Sequence, residues 1–89
     1  MRGIITVVGK DKVGIIGKVC TLLSDENVNI LDISQTIVQG YFNMMMIVEL
    51  KETDEELDKT IDLLDELGKE IGVDIKLQHE SIFNTMHRI

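Results

Sequence analysis

A chain of 89 residues is long enough for one hydrophobic core and too short for two, and 44% hydrophobic with 28% charged residues is a folded balance that argues against extended disorder. Nine basic side chains against sixteen acidic ones leave a net charge of −7, and Tyr41, Phe42 and Phe83 are the only aromatic residues, so neither an electrostatic footprint for nucleic acid nor a platform for stacked bases exists. No apolar run approaches the roughly 18 residues of a membrane span, and the start "MRGIITVVGKDK" lacks the apolar stretch and cleavage site of a secretory signal, so the expected location is cytoplasmic, with no membrane partner.

Residues 3–8, "GIITVV", are β-branched and apolar between glycines and predict a short central strand. From about Val13 to Asp25 the residues Ile15, Ile16, Val19, Cys20, Leu22 and Leu23 recur at helical spacing. Asp11 is placed to cap this helix, and Lys18, Thr21 and Ser24 face outward.

"ENVNI" resets the pattern: Asn27 and Asn29 suit a turn, and Val28, Ile30, Leu31, Ile33 and Ile37 favour an extended chain. The alternation slips near Leu31 and Asp32, where either a bulge or a change of face is needed to keep both Ile30 and Ile33 covered. Gly40 and Tyr41 mark a tight reversal into "YFNMMMIVEL", a third strand antiparallel to the second. One of its faces carries Phe42, Met44, Met46, Val48 and Leu50. The other carries Tyr41, Asn43, Met45, Ile47 and Glu49 and is too apolar at its centre to be left wholly to solvent.

The segment "TDEELDKTIDLLDELGKEIG" opens on a Thr53/Glu56 capping box, buries a stripe of Leu57, Ile61, Leu64 and Ile71, and stops at Gly72. "VDIKLQHE" then alternates Val73, Ile75, Leu77 and His79 against Asp74, Lys76, Gln78 and Glu80, the period of a strand buried on one side. Residues 81–89 are expected to form a tail or short helix. The order strand, helix, strand, strand, helix, strand predicts an α+β fold, the ferredoxin-like βαββαβ arrangement: one domain over residues 1–89, a four-stranded antiparallel sheet with two helices on one face.

This plan hosts many functions, so the residues must choose among them. An acylphosphatase-like enzyme needs an arginine in the first turn, and the only arginines are Arg2 and Arg88. A soft-metal carrier needs paired thiolates, and Cys20 stands alone; His79, Glu80 and His87 match no strong metal motif and read as packing or tail contacts. No serine stands in a nucleophile-elbow or triad-like setting, so no enzyme, metal site or cofactor is expected. Cys20 and the run Met44, Met45 and Met46 read as core or interface filler.

Binding of a small zwitterion remains. Backbone N–H groups at a helix start hold a carboxylate, Gly14 admits a close approach to the main chain, and Asn29 and Asp32 offer acceptors to an ammonium group. Beside this stands a plainer account: Gly14 serves close helix–strand packing, Lys10 and Lys12 are solvated, and Asn29 only forms a turn. Spacing alone leaves both open.

The stretch "DKVGIIGKVCTLLSDENVNILDIS" resembles the ACT domain signature, a D-x-x-G-[IL] turn opening the first helix and a later N-[IL] opening the second strand. Asp11, Gly14 and Ile15 match the first part, and Asn29 and Ile30 the second. "VVGKDKVGI", "NILDISQTI" and "HESIFNTMHRI" look more narrowly like the small stand-alone ACT proteins of bacteria and archaea, which are similar to the glycine-cleavage-system repressor. The resemblance implies a non-catalytic regulatory module, a homodimer that binds an amino acid between the first turn of one chain and the second-strand region of its partner. By position the contacts are Asp11, Lys12, Val13, Gly14 and Ile15 from the turn, with Asn29, Ile30 and Asp32 opposite. Val13 stands where proline is frequent, and with a single stand-alone domain expected, the regulated target is expected to be a separate enzyme or regulator. The alternative is an adaptor that uses the same fold to dimerise and dock without a small ligand.

Overall fold

The computed structural model of the chain describes residues 2–10, 14–50 and 54–80, with backbone alone at 54–56. The elements are β1 (Arg2–Lys10), α1 (Ile15–Asp25), β2 (Asn29–Val38), β3 (Tyr41–Glu49), α2 (Asp54–Ile71) and β4 (Val73–His79). The strands form one sheet in the order β2-β3-β1-β4 with every neighbouring pair antiparallel, which is the predicted ferredoxin-like plan. The Thr53/Glu56 capping box, Asp11, Lys12, Val13 and the tail with Phe83, His87 and Arg88 lie outside the described residues or side chains.

Period-two patterning puts Ile5 and Val7 of β1 and Phe42, Met44, Met46 and Val48 of β3 beneath the helices. Ile15, Val19 and Leu23 of α1 and Leu64 of α2 close over them. Met44, Met46, Val7 and Val48 are wholly buried, and each such side chain contributes about 1.5–3 kcal/mol relative to exposure.

The second helix turns a different stripe inward from the one its sequence suggests. Leu57, Thr60, Leu64, Leu67, Gly68 and Ile71 face the sheet, whereas Ile61 is 36% exposed. The physical reason is close approach: a methyl group at Gly68 would sit 2.7 Å from the Val73 carbonyl oxygen, so small Thr60 and Gly68 face inward and Ile61, one residue past Thr60, rotates out. Gly72, with φ of +76°, ends α2 as expected and turns the chain directly into β4.

The irregularity in β2 is a bulge. Ile30 pairs with Val48 and Asp32 with Ile47, leaving Leu31 as the extra residue. Ile30 is half-buried, but Ile33 remains 41% exposed, because β2 is an edge strand beyond the cover of the helices. The hairpin turn is Gln39–Gly40, with φ of +50° and +82°, so Tyr41 belongs to β3. Two consecutive residues at positive φ match the twist of a two-residue hairpin, which sets the register Val38↔Tyr41.

Candidate functional site

The turn from β1 into α1 is built from backbone. Gly14 occupies the N-cap with φ of +88°, and among the described residues no side chain caps the helix; the expected Asp11 cap lies outside the described residues. The N–H of Lys18 donates to the Gly14 carbonyl at 3.0 Å, so the amides of Ile15, Ile16 and Gly17 precede the first bond of the helix, where its positive dipole end lies. Ile15 is 3% exposed and pins the turn to the core, while Gly14 above it is exposed.

Close packing does not explain Gly14, since a methyl group added there meets nothing within 4 Å; its left-handed backbone does. Gly17 is likewise exposed with open space around it. The surface over the first turn therefore carries two bare glycines, with Lys10 at the end of β1 and Lys18 on the helix both exposed. Gly17 adds to the region without any motif naming it; its signal is the spacing Gly14-x-x-Gly17.

At the other end of α1, Asn27 takes φ of +58°, the N–H of Val28 donates to the Leu23 carbonyl at 2.8 Å, and the N–H of Asn27 donates to the Ser24 carbonyl at 3.1 Å. This pair of bonds is a Schellman motif, and it aims the chain straight into β2. Asn29 opens that strand, exposed, beside a depression of about 430 Å³ lined by Cys20, Ser24, Asn27, Val28, Asn29 and Ile30. Asp32 is exposed, and its Oδ1 accepts the N–H of Ile33 at 2.9 Å, which steadies the bulge and leaves Oδ2 outside that bond.

Among the described residues, Gly14 and Ile15 stand at the opposite end of α1 from Asn29. The register Arg2↔Glu49↔Asn29 puts the start of β2 level with the start of β1, while Lys10↔Tyr41↔Val38 puts the end of β1 level with the hairpin. Those strand levels are eight steps of about 3.3 Å apart, and Gly14 and Ile15 are separated from the residues that lead into Asn29 by the length of the eleven-residue α1, roughly 16 Å. Among the described residues no group of three His, Cys, Asp or Glu side chains is placed to share a metal ion, and no helix is long and apolar enough to cross a membrane.

Comparison with known proteins agrees with this architecture. The ACT domain family model matches residues 3–78. A UPF0237 protein of Bifidobacterium longum is 58% identical over 88 residues, covering 99% of this chain and 98% of the relative. Among solved structures, an ACT domain protein from Streptococcus pneumoniae superposes with a TM-score of 0.81 at 38% identity, covering 93% of each chain. A structure assigned as a candidate glycine cleavage system transcriptional repressor superposes with a TM-score of 0.76 at 22% identity, covering 89% of this chain and 47% of that one, and shares the fold. With a bare first turn, an N-[IL] strand start and a ferredoxin-like sheet all in place, the chain belongs to the ACT domain family, whose members are typically regulatory ligand-binding modules.

Proposed function

We propose that this chain is a non-catalytic regulatory module, working without a cofactor in the cytoplasm, that binds an amino acid as a homodimer. The observation that carries the reading is the separation of the two candidate half-sites. Gly14 and Ile15, which follow Asp11, Lys12 and Val13 in the proposed turn, head α1, whereas Asn29, Ile30 and Asp32 follow its far end, and this favours a site shared between two chains.

The edge strand supports the way two chains meet. All of β2 is exposed except half-buried Ile30, it contains no proline, Asp32 is its only charged residue, and Leu31, Ile33, Ile37 and Val38 are 41–59% exposed. A long apolar edge of this kind is a template for pairing with another strand. Antiparallel pairing of β2 with its own copy sets Asn29 of one chain level with Val38 of the other, hence level with the end of the partner's β1. The end of β1, which leads into the first turn, then lies at the same end of the paired sheets as the partner's Asn29. A carboxylate meets the amides of Ile15, Ile16 and Gly17 with the helix dipole behind them, and an ammonium group meets the Asn29 and Asp32 oxygens of the partner.

Titration calorimetry with the proteinogenic amino acids tests binding, with saturable heat for at least one and a matching rise in melting temperature as the expected result. No heat and no thermal shift with any of them rejects the reading. Complementation tests the shared site. Gly14→Val and Asn29→Ala chains, each silent alone, regain about a quarter of the parental sites when mixed, the statistical yield of one intact site in half of the dimers.

A further inference from the structure

We propose that the open face of the sheet, opposite the helices, is a second two-fold interface on which another copy of this chain stacks sheet against sheet, about an axis parallel to the strands and lying between β1 and β3. This contact rests on no ligand and uses other atoms than the β2 edge.

Toward the hairpin this face is apolar and exposed, whereas at its other end Ile4 is only 6% exposed and Ile47 half-buried, so the contact centres on the hairpin half. Val8, Val38, Tyr41 and Met45 are 46%, 59%, 58% and 40% exposed, and the register places them together on the side away from the helices. Small polar side chains, Thr6, Ser34, Thr36 and Asn43, fill the positions between them.

Its charge is the second observation. Within a chain of net charge −7, the ladder positions on this face carry three basic residues, Arg2, Lys10 and Lys76, and three acidic ones, Asp32, Glu49 and Asp74. The face is therefore neutral, and the excess of acid lies elsewhere, so two copies approach through this face without the net repulsion their other surfaces impose. The arrangement is also polar across the strands: all three basic residues stand on β1 and β4, while Asp32 and Glu49 stand on β2 and β3.

That polarity selects the axis. A two-fold axis parallel to the strands lays β1 over the partner's β3 and β4 over its β2, row for row. Arg2 then faces the copy's Glu49, Lys10 the ring of its Tyr41, Val8 its Asn43 and Thr6 its Met45, with no like charges opposed. A two-fold axis across the strands sets Arg2 over the copy's Lys10, a like-charge contact. Four strands about 4.8 Å apart and about 30 Å long give roughly 550 Å² per copy, or about 1,100 Å² in all, just below the range of stable interfaces. The expected contact is therefore weak and concentration-dependent. The stacking axis does not meet the two-fold of β2 edge pairing, so the two contacts together propagate as an open-ended array, and with the edge blocked the face alone makes a closed two-chain assembly.

Sedimentation equilibrium on the whole chain, from about 1 to 200 µM to span a contact of this size, reads the assembly. Met45→Glu is expected to weaken the concentration-dependent step at least tenfold. The decisive test is a double-mutant cycle on Thr36 and Asp74, at opposite edges of the sheet and about 14 Å apart within one chain but facing each other between stacked copies. Thr36→Lys alone tightens stacking several-fold by facing Asp74 of the copy. In the Asp74→Lys background the same change weakens it several-fold. Additive effects in this cycle overturn the proposal, as does a parent chain whose mass does not change with concentration or with Met45→Glu. A Met45→Glu chain that loses thermal stability at unchanged mass identifies the occupant as residues 81–89 of the same chain and also overturns it.

Discussion

Val28 and Leu23 are joined by a backbone hydrogen bond of 2.8 Å that wraps around Asn27, which sits between helix and strand at φ of +58°. The bond ends α1, and it also fixes where β2 begins and therefore where Asn29 stands. Asparagine tolerates this left-handed conformation at a cost that glycine does not incur and alanine incurs in full. Asn27→Ala is expected to destabilise the fold by about 1 kcal/mol, and Asn27→Gly to leave it unchanged or slightly firmer, in urea unfolding followed by circular dichroism. Equal losses for both variants would show that the side chain, rather than the backbone, matters there.

Gly14 presents the same backbone demand without any crowding. Its φ is +88° and a Cβ placed there meets nothing within 4 Å, so Gly14→Ala is opposed by conformation alone, at about 1 kcal/mol. Gly14→Asn is expected to recover part of that loss, which packing strain would not allow. The comparison, read in unfolding midpoints at constant slope, separates a conformational from a steric role for this glycine.

Gly68 is the opposite case. Its virtual methyl group lies 2.7 Å from the backbone oxygen of Val73, and a backbone cannot step aside as a flexible side chain does. Gly68→Ala gains helix propensity yet is expected to destabilise by about 1–3 kcal/mol, since overpacking outweighs a propensity gain of about 1 kcal/mol. A stabilised variant in thermal unfolding would show that α2 and β4 have room to separate.

Ile61 and Leu64 test the inward stripe of α2. Leu64 is 1% exposed and Ile61 36%. Leu64→Ala is expected to cost about 2–5 kcal/mol by opening a cavity in the core, and Ile61→Ala well under half of that. Comparable losses would return Ile61 to the buried face.

The sequence made the elements, their order and the inward face of β3 legible, because Phe42, Met44, Met46 and Val48 obey a period of two without exception and Gly72 and Gly40 mark turns by their own chemistry. It misled at Ile61, because spacing of i and i+4 from Leu57 looks helical whichever residue points inward. What decides is a contact between Gly68 and a strand that follows it in the chain. The slip at Leu31 was visible as a broken alternation. Choosing a bulge over a change of face needed the pairing with Ile47 and Val48, which is non-local information. For the candidate site, the glycine turn and the Asn29 strand start were readable as local signals. Their placement at opposite ends of the sheet was not, since it follows from β3 lying between β1 and β2.

That separation makes the edge of β2 the most informative surface to alter. Ile33 and Ile37 are 41% and 57% exposed on an edge strand, so the folded chain gains little from them, whereas a paired edge would cover them. Lysine at such positions is the usual guard against edge pairing, because its charge is desolvated when a second strand is laid alongside. Ile33→Lys with Ile37→Lys is expected to change the unfolding free energy of the chain by less than about 1 kcal/mol while weakening edge dimerisation at least tenfold in sedimentation. Under the proposed two-chain site, amino-acid binding is expected to fall in parallel with the loss of dimer and to return at protein concentrations that restore it. Full binding by a chain that sediments as a monomer would place the ligand within one copy and remove the role of the β2 edge.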